Sequence, residues 1–271
     1  MPEGDTIFRA ATVLRRALAG RVVTGFDLVA PKVTTAAAKR RIVGGTVKSV
    51  GANGKHLLIT FGTDGEDVVL HTHMKMTGMW HVYRAGERWR FAPSKARVVI
   101  RTDEYVAPCV TPPIVELLTA HEVALHPILS ALGPDILADD FDGDAALRRL
   151  RADGERDVAT ALLEQRNISG IGNEFKCEVL FLTRVWPWTK TADVDDATLR
   201  RIVALSRELM LKNLDGGPRR TRFALNPREL VWVMERTGLP CYVCGTAIAW
   251  GNHPNEFRKS WYCPRCQGPI A

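Results

Sequence analysis

The chain has 271 residues, 46% of them hydrophobic, with 37 Lys and Arg against 30 Asp and Glu and a formal charge of +7. That length and apolar content suit two globular domains and exclude a disordered chain, and the basic excess favours polyanionic partners such as nucleic acid. No apolar run approaches the ~18 residues of a membrane span, and Glu3 and Asp5 stand where a secretory signal carries positive charge, so the sequence reads as that of a cytosolic protein with no membrane partner.

The chain opens MPEGDT. Met before Pro is a bond that methionine aminopeptidases usually cut, so the mature chain can begin with the secondary amine of Pro2; a removable Met before a permissible residue is the plainer reading. From Asp5 to Ala19, Ile7, Ala11, Leu14 and Leu18 recur at helical spacing, Asp5 can cap the start and Gly20 stops the run. Between about Arg21 and Val110 short β-rich runs follow: VVTGFDLV, TVKSV, HLLITF, DVVLHTHM, MWHVY and ARVVIR, with Asp64 and Gly65 marking a hairpin turn. These predict a sandwich or barrel-like domain. His71 and His73 alternate on one strand and share a face, but with no third ligand identifiable they read as structural rather than as a metal pair. From Pro112 helical patterns take over in PIVELLTAHEVA, DGDAALRRLRA, ERDVATALLEQ, NEFKCEVLFLT and DATLRRIVALSRELMLKNL, with the domain boundary near Gly133 and Pro134.

In ALLEQRNISGIGNEFKCEVLF one helical pattern ends near Gln165, a Gly-containing turn follows, and Asn173 can cap the next helix. Such a turn directs the N–H groups of Gly170 to Gly172 toward one point; it is either a phosphate cradle or an ordinary link between packed helices. The basic run Arg219, Arg220 and Arg222 reads as a solvated or DNA-facing loop. Cys109 and Cys177 stand alone, as buried small hydrophobes. Cys241 with Cys244 in CYVC, and Cys263 with Cys266 in CPRC, form two separate pairs. With 18 residues, 245–262, between the two pairs, that is zinc-ribbon spacing for one structural Zn²⁺, whereas two disulfides would need an oxidising compartment.

MPEG at the start, GKHLL at Gly54 to Leu58, NISGIGN at the turn, and CYVCG with RKSWYCPRCQ at the end together resemble the formamidopyrimidine-DNA glycosylase and endonuclease VIII family of base-excision repair enzymes. The resemblance runs from Pro2 to Gln267, and MPEGDT looks more like the endonuclease VIII branch, in particular its actinobacterial members. It implies an α+β fold: an N-terminal catalytic β-sandwich with flanking helices over residues 1–133, a helix-two-turn-helix domain over 134–228 and a zinc ribbon over 229–271. It also implies a bifunctional DNA glycosylase and AP lyase for oxidised pyrimidines, a nucleoid-associated monomer acting on damaged DNA without a small-molecule cofactor.

By that resemblance Pro2 is the nucleophile toward C1′ of the deoxyribose. An α-amino group, with a reference pKa of about 7.7–8, is partly unprotonated at neutral pH. Glu3 is the implied general acid that opens the ribose ring, beside its plainer part as a negative charge at a helix N-terminus. Lys55 matches the family lysine near the lesion phosphate. Asn173 and Arg258 match the phosphate-binding residues of the turn and the ribbon, and Met76 matches the apolar wedge that fills the gap left by an extruded nucleotide. The alternatives are a glycosylase preferring 8-oxoguanine or formamidopyrimidine, and a non-catalytic binder of damaged DNA on the same scaffold. A zinc-ribbon factor of transcription or translation would leave the N-terminus unexplained.

The sequence departs from the family pattern in four places. Glu174 follows Asn173 where relatives carry an apolar residue, and a carboxylate there is expected to weaken DNA affinity unless it turns away. RTDEYVAPC lacks the Arg and Phe that complete the void-filling set of the formamidopyrimidine branch, leaving insertion to the Met76 loop. Thr6 replaces a glutamate of that branch, which argues against 8-oxoguanine. The ribbon has two more intervening residues than the commonest spacing, to be absorbed at its hairpin tip.

Overall fold

The computed structural model describes residues 2–29, 42–253 and 258–268. The chain divides into two compact units, Met1–Pro2 with Thr6–Ala131, and Glu3–Asp5 with Leu132–Ala271. Among the described residues no helix is long and apolar enough to cross a membrane.

In the first unit helix α1 (Gly4–Leu18) buries Ile7, Ala11, Leu14 and Leu18 and leaves Val13 exposed. Gly20, at φ +77°, ends it in a conformation that a Cβ would strain. The strands that follow form two antiparallel sheets. One has the order β2 (Thr46–Asn53), β3 (His56–Gly62), β4 (Val68–His73), β9 (Ile114–Thr119). The other pairs β1 (Gly25–Leu28) with β7 (Ala96–Arg101) and β7 with β8 (Tyr105–Val110). Two short strands, β5 (Met79–Trp80) and β6 (Tyr83–Arg84), both pair with β8.

Alternation explains why the sheets face each other. Along β3, Leu57, Ile59 and Phe61 are fully buried, and they join Val98, Ile100 and Ala107 of the other sheet and Ile7, Leu14 and Leu18 of α1 in one core. Phe26 on β1 meets Phe61 on β3 edge to face, with ring centroids 5.8 Å apart. The sandwich that the sequence implies is therefore present, with α1 contributing to its core.

Two sequence expectations are corrected. The MWHVY run is not one strand but β5 and β6, broken between Trp80 and Tyr83. PIVELLTAHEVA is not a helix throughout: Ile114–Thr119 is strand β9, paired residue for residue with β4, and only Ala120–Ala124 (α2) is helical. The physical reason is a strong local start signal placed late. Thr119 and Glu122 form a reciprocal capping box at the helix start, so the residues before it are free to pair.

The second unit is built from helices α3 (Gly143–Ala152), α4 (Val158–Leu163), α5 (Asn173–Thr183) and α6 (Asp196–Leu211), followed by a hairpin of β10 (Ala249–Asn252) and β11 (Lys259–Tyr262). Asp142, Asp157 and Asp195 cap α3, α4 and α6 through their carboxylates. Helix α5 has no side-chain cap of its own, and Gly172, not Asn173, is its N-cap residue. The hairpin tip, 254–257, where the extra ribbon residues are expected, lies outside the described residues.

Replacing Phe61 with Ala removes a fully buried ring from the interface between the two sheets. It should cost about 3–5 kcal/mol of unfolding free energy. Val13→Ala, at a position 52% exposed, should change it by under about 0.5 kcal/mol. Urea denaturation of the two variants checks this.

Candidate active site and nucleic-acid interface

Pro2 is half-buried and lines a cavity of about 310 Å³ in the first unit, with Thr6, Arg9, Met74, Met79 and Trp80 among its walls. Thr6 and Arg9 are the polar side chains of that lining, and the remainder is apolar. Lys55 lies in the tight turn between β2 and β3, where Asn53 pairs with His56 and Gly54 takes φ +56°. Met76 is 66% exposed on the loop after β4. That loop is held at its base: Thr77 Oγ1 donates to Thr111 O at 3.2 Å, Thr111 Oγ1 to Thr77 O at 2.8 Å, and Gly78 N to Met74 O at 2.7 Å. A Cβ on Gly78 would lie 2.7 Å from Met74 Cα, so only glycine closes the turn that carries Met76.

RTDEYVAPC has no loop free to insert. Tyr105–Val110 is strand β8, paired on both sides, and its turn is closed by Thr102 N donating to Tyr105 O at 2.9 Å.

In the second unit Glu3 is 1% exposed. Its Oε2 accepts from Gly172 N at 2.9 Å and its Oε1 from Glu174 N at 2.8 Å. Two of the orphan amides that open α5 are thus satisfied by a carboxylate 169 and 171 residues away in sequence. Asn173 is already inside the helix, one residue past the N-cap Gly172, and two of the amides at that helix start are taken by Glu3. The fit needs glycines. A Cβ on Gly172 would lie 2.1 Å from Glu3 Cδ, and one on Gly4 2.9 Å from Gly170 Cα, beside the Gly4 N to Gly170 O bond of 2.9 Å.

Arg219 closes the same cluster. Its Nε and Nη2 grip Asp5 at 2.8 and 2.7 Å, and its Nη1 lies 2.9 Å from Glu174 Oε2 and 3.7 Å from Glu3 Oε1. Burial opposes the Arg219 cation, but the hydrogen-bonded Asp5 and the charges of Glu3 and Glu174 more than offset it, so its pKa is raised. Burial likewise raises the Glu174 carboxyl, with Arg219 pulling the other way. Two expectations change here. Glu174 turns to Arg219, so its charge is paired within the protein. The run 219–222 is not a solvated loop either: Arg222 pairs with Glu229 and lies 5.2 Å from the Trp232 ring and 4.0 Å from that of Tyr242.

The four ribbon cysteines come together, with all Sγ atoms within 4.8 Å of one another. The pairs Cys241–Cys266 and Cys244–Cys263 are 3.9 and 3.4 Å apart. A tetrahedral thiolate site with bonds of about 2.3 Å has sulfurs about 3.8 Å apart, so the cluster fits a zinc-sized ion. Val243 N points to Cys241 Sγ and Cys266 N to Cys263 Sγ, each at 3.4 Å, donors that stabilise thiolates. Arg258 is exposed at the residue before β11.

The sequence identified no third ligand beside His71 and His73, and the structure gives His71 two hydrogen-bond partners, Glu116 and His56. His71 Nδ1 lies 2.7 Å and His126 Nε2 3.2 Å from Glu116 Oε2, and His56 Nδ1 lies 2.8 Å from His71 Nε2. His126 Nδ1 accepts from Ile128 N and Leu129 N, both at 3.2 Å, so its proton sits on Nε2 and points at the carboxylate. Metal ligation by that nitrogen would require the other tautomer against two N–H donors. The group is a hydrogen-bonded chain. Burial, followed by repulsion from the neighbouring histidines and lysines, lowers His56 to about 3 and His73 to about 4.

With the geometry in hand, comparison with known proteins is direct. The formamidopyrimidine-DNA glycosylase N-terminal domain matches residues 1–110, and the formamidopyrimidine-DNA glycosylase H2TH domain matches residues 132–224. A probable endonuclease 8 2 of Streptomyces coelicolor is 38% identical over 275 residues, covering 100% of this chain and 95% of that protein. The chain belongs to the formamidopyrimidine-DNA glycosylase and endonuclease VIII family. A DNA-(apurinic or apyrimidinic site) lyase Nei2 of Mycolicibacterium smegmatis is 32% identical over 270 residues, covering 98% of this chain and 99% of that one. The fold matches the Lactococcus lactis Fpg (MutM) in complex with DNA containing N7-benzyl-Fapy-dG, with a TM-score of 0.81, 21% identity, and 99% and 100% of the two chains covered.

Within this family member the acidic cluster around Arg219 is testable. Arg219→Met leaves Asp5 and Glu174 buried without their cation and should cost about 3–5 kcal/mol at neutral pH. The Glu174 carboxyl, raised when folded, binds its proton at higher pH in the native than in the unfolded state, so the variant regains stability as pH falls through that folded value. Denaturation midpoints of wild type and variant from pH 7 to pH 4 should converge.

Proposed function

We infer that the chain is a bifunctional DNA glycosylase and AP lyase of base-excision repair, excising oxidised pyrimidines with Pro2 as nucleophile. The observation that carries this reading is the seating of Glu3. A buried carboxylate one residue from Pro2 is fixed by backbone amides at the start of α5, so the N-terminal peptide is held by fixed donors rather than left as a loose end.

The chemistry follows from that placement. The Pro2 nitrogen lone pair forms a bond to C1′ as the C1′–base bond breaks, and the base departs with the electron pair and takes up the proton that the Pro2 nitrogen gives up. Opening of the C1′–O4′ bond gives an iminium, with O4′ receiving a proton from Glu3, the nearest carboxyl by sequence. Glu3, now a carboxylate, takes a C2′ proton while the C–H electron pair flows into the iminium and then expels the 3′ phosphate, and a second elimination expels the 5′ phosphate, leaving a one-nucleotide gap flanked by phosphates. Hydrolysis then frees the amine. Lys55 holds a phosphate beside the lesion and assists proton transfer.

Asn173 and Arg258 bind backbone phosphates, and the braced loop carries Met76 into the gap left by the extruded nucleotide. Thr6, facing the same cavity as Pro2, stands where an 8-oxoguanine enzyme carries glutamate, and supports a pyrimidine preference. Cys241, Cys244, Cys263 and Cys266 would hold one Zn²⁺, which when bound supplies a structural crosslink to the ribbon. The protein acts as a monomer on nucleoid DNA, with no small-molecule cofactor.

Borohydride trapping on duplexes carrying an abasic site, an oxidised pyrimidine or 8-oxoguanine, followed by peptide mapping, tests this. The adduct should map to Pro2, form on the first two substrates in preference to the third, and fall at least about 100-fold when a residue is added before Pro2. An adduct on a lysine, or undiminished trapping by the extended chain, contradicts the assignment.

A further inference from the structure

Lys176 is 1% exposed in the first turns of α5, although a lysine is ordinarily solvated. Its Nζ donates to Asn173 Oδ1 at 2.8 Å and to the backbone oxygen of Lys259, in β11, at 3.2 Å. An ammonium offers protons only, so the amide atom facing it must be the oxygen, and the orientation of Asn173 is settled by chemistry. Asn173 Nδ2 then points the other way. Asn173 is 8% exposed, and its Nδ2 has no hydrogen-bond partner among the described residues yet is not among their fully inaccessible unpaired atoms, so its two N–H groups keep a narrow opening at the amino end of α5.

The placement of Lys176 has a cost that packing alone does not explain. A methionine of similar length would fill the same space without desolvating a charge, and the start of a helix is the wrong end for a cation. Burial lowers the Lys176 pKa, while Glu3 and Asp157 are among the groups that support the charged form. What the ammonium adds over a methionine is the two directed bonds. One sets the Asn173 amide, and the other reaches the strand residue that follows Arg258.

We propose that Lys176 is a positioning residue for DNA binding: it locks the Asn173 amide with its donors outward and ties that amide to β11, so that the phosphate contacts of the helix-two-turn-helix and of the ribbon are set by one buried group. This rests on the reading of Asn173 as a phosphate ligand. Without Lys176 the amide can turn over and present its oxygen to a phosphate, acceptor against acceptor.

The test is a double-mutant cycle on the full-length, metal-loaded protein, with Kd measured for a duplex carrying a tetrahydrofuran abasic-site analogue over a range of salt. Lys176→Met should raise Kd about tenfold, and in an Asn173→Ala background it should raise Kd by less than about twofold. Because Lys176 is buried and touches no phosphate itself, the slope of log Kd against log salt should be the same with and without it. A slope reduced by about one would make Lys176 a direct phosphate ligand and overturn the proposal. Equal effects of Lys176→Met in both backgrounds would overturn it while sparing the Asn173 reading. No effect of Asn173→Ala alone would overturn both. Should Lys176→Met fail to fold, Lys176→Leu, which likewise has no N–H donor, takes its place in the same cycle with the same outcomes.

Discussion

The carboxylate of Glu3 seated on the amides of Gly172 and Glu174 is the constraint from which the rest of the site follows. A helix leaves its first amides unpaired and carries partial positive charge at that end. In most helices the residue just before the first turn answers both needs, and in α3, α4 and α6 an aspartate does so. In α5 the answer comes from the far end of the chain. That choice forces Gly172, whose Cβ would overlap Glu3, and the close approach of Gly4 to Gly170. Asn173, one residue past the N-cap, is left with its side chain available for another partner.

Gathering carboxylates at one helix start requires compensation, and the sequence supplies it from two directions. Arg219 spans Asp5, Glu174 and Glu3 with one planar guanidinium, a geometry that an ammonium could not match. One turn along the helix, Lys176 lies under Asn173. Further on, Glu178 is buried and accepts from Trp232 N at 2.6 Å, Val233 N at 2.9 Å and Met234 N at 2.8 Å, fastening the segment that leads to the ribbon. Successive turns of α5 therefore engage the N-terminal peptide, Asn173 and the approach to the cysteine hairpin.

Local pattern made much of the fold legible. The helical spacing of Ile7, Ala11, Leu14 and Leu18 marks the residues that α1 buries, and the alternation in HLLITF and ARVVIR marks the strands whose inner faces form the core. The two CXXC pairs announce a cluster by spacing alone. What local pattern could not carry is a partner distant in sequence. Asn173 has the right residue type to cap α5, but the N-cap is Gly172 and two amides of that helix start are taken by Glu3. Arg219 looks like part of a solvated basic run until two carboxylates of the N-terminal peptide and one of α5 converge on it. Likewise IVELLT satisfies a helical period as well as a strand period, and its pairing with β4 decides between them. Glu116 and His126 escaped notice beside His71 because pairing and a later turn, not spacing, bring them there.

The most direct measurement of the account is amide hydrogen exchange at Gly172 and Glu174 in wild type and in Glu3→Gln. The side-chain amide of the variant can accept from only one of the two N–H groups, and its own NH₂ faces the other. The account predicts that both amides are protected in wild type, that at least one exchanges about tenfold or more faster in the variant, and that amides deeper in α5, such as that of Leu180, keep their rates. Unchanged protection at both positions would mean that Glu3 does not hold the start of α5, and the central claim would fall.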